Sequence, residues 1–302
     1  MKDLKGGNCL ITGAASGIGR SLALGLTREG MNLFLVDLDM AGLEAVKEEI
    51  GRAGGRALTA RCDVSNFDEI KALELDARAR MGEIDLLVNN AGIAGAGLAE
   101  ELDPVDWMKV LEINTWSIIY SVRAFLPAMI KRGRGHIVNT GSGAGVVGIP
   151  YHIQYVVSKF AVVGLSEALY SEIKHVHPGI DVSVICPSYL KTRIIDRTNV
   201  KLPSKLVPEI TAEEFGKRTE EFKKYFWERY NKQGMSVEKA VDIYIKGIKK
   251  GNLYIFDTAQ LRVALVIKGL SDRLYRKILR REGYGHLKMI KDTFSDMGIK
   301  VS

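Results

Sequence analysis

The sequence predicts a doubly wound α/β domain on a parallel sheet of about seven strands, with a helical lid insertion and a C-terminal extension. Two observations carry this. Seven short β-rich runs alternate strictly with helical patterns, and that alternation builds parallel βαβ units. The runs are also continuously apolar, as in strands covered on both faces.

The runs are Asn8–Thr12, Asn32–Val36, Arg56–Cys62, Asp85–Asn89, His136–Thr140, Asp181–Cys186 and Leu253–Phe256. Helical patterns fill residues 17–30, 40–54, 66–81, 104–132, 152–175 and 236–250, with Ser65, Asp103 and Ser236 as N-caps. Two segments fall outside the alternation. Residues 188–235 form a 48-residue insertion containing Tyr225, Phe226 and Trp227. A loop that long inside a domain is a lid or disordered; its helix-forming charges favour one or two helices over the substrate. Residues 258–302 extend beyond the last strand. The expected division is therefore residues 1–257, lid included, and a basic amphipathic extension over 258–302 packed on or beside them.

The chain has 302 residues, 46% of them hydrophobic, enough for a sizeable core. Glycine is plentiful (31) and proline scarce (7), which suits tight strand–helix turns. Cys9, Cys62 and Cys186 lie in apolar runs with no Cys-x-x-Cys pair, and read as buried thiols. His175 and His177 have no evident third ligand, so no metal site is expected. No run approaches the ~18 apolar residues of a membrane span, and the charged start does not read as a signal peptide. A cytoplasmic protein is expected. Its net charge of +7 is uneven: residues 232–302 carry a net +8 and residues 1–231 a net −1.

The first strand runs into Thr12-Gly13-Ala14-Ala15-Ser16-Gly17-Ile18-Gly19, and a helix follows. Such a turn brings backbone close to a pyrophosphate, and the helix start offers free N–H groups and a positive dipole end. Its place between first strand and first helix turns a weak motif into a strong one, the Rossmann arrangement. Asp37, 24 residues after Gly13, ends the second strand where a carboxylate bonds the adenosine ribose; it also suits a helix cap. Ser16 and Leu38 are neutral, and no Arg or Lys adjoins them in sequence. A 2′-phosphate would meet an uncompensated negative charge, so NAD is expected over NADP. Asp63, at the end of the third strand, and Val64 are placed to touch the adenine.

Tyr155 and Lys159 stand one helical turn apart. A free phenol, with a pKa near ~10, is a poor base at neutral pH. A nearby ammonium lowers that value, and the pair then exchanges a proton with a substrate oxygen. The spacing recurs at Tyr170/Lys174 and Tyr284/Lys288, so position decides. Tyr155 opens its helix soon after the fifth strand, whereas Tyr170 lies about 22 Å further along the axis.

Here the chain resembles the short-chain dehydrogenase/reductase family over about residues 5–257. Thr12–Gly19 matches the family's glycine motif. Asn89-Asn90-Ala91-Gly92 matches the segment that steadies the sheet and lines the adenosine side. Asn114, Ser142, Tyr155 and Lys159 match its active-site residues, with Ser142 at the usual 13 residues before Tyr155. The resemblance implies that Ser142 holds the substrate oxygen beside Tyr155, that Lys159 binds the nicotinamide ribose, and that Asn114 holds a water in a proton relay. It also implies pairing of helices 104–132 and 152–175 in a homodimer or homotetramer. One position departs. Pro187-Ser188 replaces the usual Pro-Gly, which puts the backbone path there in question, while Thr192 still offers a hydroxyl to the carboxamide.

The expected reaction interconverts a secondary alcohol and a ketone with a nicotinamide dinucleotide. A non-catalytic dinucleotide-binding or sensor protein on the same scaffold is the competing class, and need not keep the Asn114/Ser142/Tyr155/Lys159 set. Epimerisation and dehydration are further chemistries of this fold. Val146, Val147, Ile149, Pro150 and Ile153 suggest an apolar substrate wall, for a steroid, fatty-acyl or ring alcohol. His152 reads as structural. No arginine clamp is evident, although Lys191 and Arg193 follow the sixth strand. Gln260–Arg281 mixes leucines with basic residues and suits core packing, a neighbouring subunit or an anionic membrane surface. No nucleic-acid motif is present.

Overall fold

The computed structural model describes residues 3–192, 194, 198–201, 203, 205, 207 and 209–301. In chain order its elements are β1 (Asn8–Thr12), α1 (Gly17–Arg28), β2 (Asn32–Asp37), α2 (Met40–Arg52), β3 (Ala57–Arg61), α3 (Phe67–Met81), β4 (Leu86–Asn89), β5 (Gly95–Ala96), α4 (Pro104–Leu111), α5 (Ser117–Arg132), β6 (Gly135–Thr140), α6 (Ile153–Val176), β7 (Ile180–Cys186), β8 (Asn199–Val200), α7 (Ala212–Gln233), α8 (Val237–Lys250), β9 (Tyr254–Phe256), α9 (Ala259–Leu270) and α10 (Asp272–Asp296).

Seven strands pair in the order β3-β2-β1-β4-β6-β7-β9, all parallel. The order reverses between β1 and β4, and ligands bind outside the strand ends at such a switch point. Successive side chains alternate across the sheet. Cys9, Ile11, Leu33 and Leu35 pack with Leu22 and Leu26 of α1 and Val241 and Ile245 of α8. Leu10, Phe34 and Leu87 face the other way, onto Leu73 of α3 and Phe125 of α5. Both faces are thus dry, which is why these strands lack a polar face.

Four local expectations change. β3 ends the sheet, so its residues are only half-buried, and Arg61 is exposed. Asp63 consequently lies beyond the strand. Asn66, not Ser65, caps α3, accepting from the N–H groups of Asp68 and Glu69; Ser65 instead donates to Asp63. The pattern at 104–132 is two helices joined by a π-turn, Glu112–Trp116. Gln260–Arg281 is likewise two helices. Ser271 leaves α9 in an extended conformation and caps α10, its hydroxyl accepting from Leu274 N–H at 3.3 Å.

The insertion contributes α7 and the short strand β8, which pairs with β5. Phe215, Phe222 and Phe226 of α7 share a third core with Ile290 and Phe294 of α10. Leu261, Leu265 and Ile278 pack on a fourth, against Val146, Val162 and Phe256. Leu270 and Leu274 remain exposed. Cys9, Cys62 and Cys186 are free and buried, and burial pushes the thiols of Cys62 and Cys186 up to about 12. No helix among the described residues is long and apolar enough to cross a membrane.

Candidate active site

A cavity of about 1210 Å³ opens at the carboxyl ends of β1, β2, β4 and β6. Single-ligand sites run to roughly 1,000 Å³, so this one lies above that range. Gly13, Ser16, Gly17, Ile18, Asp37, Asp63, Val64, Asn90, Ala91 and Gly92 line one part of it. Ser142, Tyr155, Lys159, Pro187 and Thr192 line another. Asn114 and Gly19 do not line it, but each adjoins a residue that does, Gly92 and Gly13 respectively.

Gly13 has φ 66°, and a Cβ there would lie 2.9 Å from the Cα of Ala91. At Gly19 a Cβ would lie 2.1 Å from the carbonyl of Gly13, so no side chain fits the turn. Asn90 ties it down: its N–H bonds the Thr12 hydroxyl at 2.9 Å and its amide donates to the carbonyls of Thr12 and Gly13. Ser16 occupies the N-cap of α1 without using its side chain as a cap. The helix start therefore keeps its anion-binding character. Thr192 stands across from the turn, its Cβ 3.8 Å from where a Gly17 Cβ would be.

Asp37 is buried. Its carboxylate accepts from Ala15 N–H at 3.1 Å and Asp39 N–H at 3.2 Å, so it also braces the turn. The sheet register places Arg61 opposite Asp37. Beyond the neutral Ser16 and Leu38 beside the site in sequence, Arg61 is thus its neighbour across the sheet. The Arg61 side chain is exposed and does not line the cavity; the Lys and Arg side chains that do, among the described residues, are Lys159 and Arg281. Arg193 lies outside the described residues. Asp63 accepts from the Ser65 hydroxyl at 2.7 Å.

Tyr155 lies in the first turn of α6. Burial pushes its phenol up, and a hydrogen bond with the Ser142 hydroxyl works in the opposite direction. Lys159 is buried; its Nζ donates to the Thr140 carbonyl at 2.8 Å and lies 5.7 Å from the Tyr155 ring centroid. Burial lowers its pKa to about 8. Burial therefore opposes the depressed phenol that sequence spacing alone suggests. Asn114, inside the π-turn, bonds no group of its own helix: its amide clasps both backbone groups of Ile93 and donates to Ser158 at 2.9 Å. Ser158 in turn donates to the Tyr155 carbonyl at 2.7 Å. π-turns of this kind frequently accompany functional sites.

Ser188 answers the question raised by the missing glycine. Among the described residues Tyr151 is the one non-glycine residue with positive φ, so the path at Ser188 requires no glycine. Its N–H points at both oxygens of Asp257, at 3.1 and 2.9 Å, and Tyr244 donates to the same carboxylate at 2.7 Å. Asp257 and Tyr244 carry no motif, and sequence reading passes over them. Trp227 of the insertion donates its indole N–H to the Thr192 carbonyl at 2.8 Å.

Phe222, Phe226 and Tyr230 of α7 line the cavity at i, i+4 spacing. Leu261 and Ala264 of α9 and Ile278, Glu282 and His286 of α10 close another side. His286 carries no motif, and the sequence reading passes over it. His152 bonds the Gly95 carbonyl through Nδ1 at 2.8 Å, and burial keeps it neutral.

Residues 8–202 match the short chain dehydrogenase family. A 3beta-hydroxysteroid dehydrogenase of Mediterraneibacter gnavus is 37% identical over 205 residues, 68% of this chain and 73% of that protein. A cyclohexanol dehydrogenase of an Acinetobacter species is 36% identical over 187 residues, 62% of this chain and 74% of that one. The crystal structure of a short chain dehydrogenase/reductase from Burkholderia phymatum, in complex with NAD, superposes with a TM-score of 0.76 at 29% identity, covering 89% of this chain and 96% of that chain. A metagenomic short-chain oxidoreductase in complex with NADP gives a TM-score of 0.59 at 35% identity, covering 61% and 83%.

Proposed function

Because this chain belongs to the short-chain dehydrogenase family, we propose that it is an oxidoreductase interconverting a hydrophobic secondary alcohol and its ketone, with Tyr155 as general acid/base. The observation that carries this reading is the convergence of Ser142, Tyr155 and Lys159 on the same cavity as the glycine turn and Asp37. The glycine turn and the start of α1 would hold the pyrophosphate, Asp37 the adenosine ribose, Asp63 and Val64 the adenine, and Pro187 and Thr192 the nicotinamide side. Asn90, Ala91 and Gly92 would line the adenosine side. When bound, the nicotinamide accepts or supplies the hydride. Ser142 holds the substrate oxygen against the Tyr155 phenol, which takes its proton in oxidation and returns one in reduction. Lys159 favours the phenolate and binds the ribose, and Asn114 steadies the start of α6 and a relay water. A screen of steroid, fatty-acyl and ring alcohols and ketones, read by NAD(H) absorbance, tests this; no turnover across all three classes would count against it.

NAD is the proposed cofactor because Asp37 lines the cavity, where it would meet the adenosine ribose, while Arg61 does not line it. An oligomer is proposed from the outer surface. Val105, Met108, Trp116 and Val157, on α4, the π-turn and α6, are exposed apolar residues on elements that the family commonly pairs across a two-fold axis. Sedimentation as a homodimer or homotetramer is the expected result, and a concentration-independent monomer the contrary one.

The extension over 258–302 forms one wall of the pocket on its inner side. On its outer side Val266, Leu270 (80% exposed) and Leu274 stand among Arg262, Arg273 and Lys277. We propose peripheral contact there with an anionic bilayer. Co-sedimentation with phosphatidylglycerol vesicles but not phosphatidylcholine vesicles, lost at high salt, is expected; equal pelleting with both would refute it.

A further inference from the structure

The C-terminal helix brings to the cavity a histidine that the chemistry above does not use. His286 is 5% exposed, lines the cavity, and has both ring nitrogens buried without a partner. An unsatisfied buried polar group costs about 1–3 kcal/mol, so its retention needs a reason. Packing does not supply one. The ring contacts are edge-on, to His152 at 5.0 Å and Phe226 at 6.1 Å between centroids, and a phenyl ring makes both.

Its ionisation is settled by its surroundings. Burial first, and then His152, push His286 down to about 3. The neutral ring offers one N–H donor and one lone pair. His152 cannot satisfy the donor through Nδ1, because that nitrogen must itself carry hydrogen to bond the Gly95 carbonyl. Phe226 is the apolar neighbour of His286, and Ile149, Phe222 and Ile278 line the same cavity, with Glu282 one turn earlier on α10 and Arg281 beside it as the nearest charged lining residues in sequence. His286 thus packs against His152, which lies three residues before Tyr155 at the start of α6, and it lines the cavity that Ser142 and Tyr155 also line.

We propose that His286 is a specificity residue that hydrogen-bonds a second polar group, a hydroxyl or carbonyl, on the apolar skeleton of the substrate. The preferred substrates are then diols or hydroxyketones over simple alcohols. This rests on the oxidoreductase reading for the class of ligand, but its test is a binding measurement. The NADH-saturated wild type, His286→Phe and His286→Gln would be titrated calorimetrically with two matched pairs. One is cyclohexanol and a cyclohexanediol; the other is a monohydroxy steroid and its dihydroxy counterpart.

The wild type should prefer the diol in at least one pair. His286→Phe should cut that preference about tenfold, the worth of one buried hydrogen bond, and His286→Gln should restore part of it. The melting temperature of His286→Phe should stay level or rise, since the orphaned polar group is gone. A wild type with no diol preference in either pair would overturn the proposal. So would an unchanged preference in His286→Phe, or a lowered melting temperature with equal loss for both members. Failure of the oxidoreductase reading would look different: the alcohols bind, yet none reduces NAD.

Discussion

Tyr155→Phe should abolish turnover in both directions while NADH still binds. The substitution removes one oxygen and leaves the ring that packs in the wall, so the glycine turn, Asp37 and Lys159 keep their places. Loss of a positioned general acid/base costs roughly 10²–10⁴-fold, and here no neighbour substitutes. The Ser142 hydroxyl has no base beside it once the phenol is gone, and Lys159, an ammonium at neutral pH with its pKa lowered by burial to about 8, is held at the Thr140 carbonyl. The same site fixes the pH dependence. Burial raises the phenol pKa, so near neutrality the group is protonated and lacks the form that accepts a proton. Alcohol oxidation should therefore accelerate as pH rises toward the phenol pKa. Ketone reduction, which needs the protonated form, should not. Steady-state rates in both directions, with NADH binding by fluorescence, check this. Appreciable activity in Tyr155→Phe, or oxidation that is flat across alkaline pH, would remove Tyr155 from its role. Tyr170→Phe is the control, because Tyr170 is partly buried against the second core and does not line the cavity.

Asp37→Ala should narrow the gap between NAD and NADP by about tenfold or more. A preference of tenfold corresponds to about 1.4 kcal/mol, and two close like charges near a protein surface exceed that before salt screening. With the carboxylate removed, Arg61, its Cα paired with that of residue 37 in the sheet, is the neighbouring cation that could reach a 2′-phosphate. The gain for NADP should therefore shrink in Arg61→Ala/Asp37→Ala. NAD itself should bind more weakly to Asp37→Ala, since the carboxylate also holds the Ala15 N–H. Asp37→Asn keeps an acceptor for that N–H and should retain more NAD affinity while still losing the charge. Comparing kcat/KM for both cofactors in these variants is decisive; equal efficiency with NAD and NADP in the wild type would end the argument for Asp37.

Much of the sheet was readable because parallel strands are local apolar runs between turns. All seven main strands stand within a residue or so of their predicted limits, and the misplaced details have local causes. Ser65 and Asn66 are both good caps, and which one serves depends on Asp63 capturing the Ser65 hydroxyl. The π-turn at Glu112–Trp116 leaves the helical periodicity nearly intact, so the pattern reads as one helix. At Gln260–Arg281 the periodicity again runs through a break, made by the extended backbone at Ser271.

By itself, the sequence determined the glycine turn, the place of Asp37 at a strand end, and the spacing of Ser142, Tyr155 and Lys159. Each is written in chain neighbours, through turn geometry, helical period or strand-end position. Tertiary structure alone decided which distant residues share those places: Arg61 opposite Asp37, Asp257 on the Ser188 N–H, and His286 against His152. Such contacts follow from strand order and from how α7, α9 and α10 fold back over the sheet. The packing that creates them leaves no period in the chain, because residues up to 134 positions apart meet only when buried apolar surface draws their elements together.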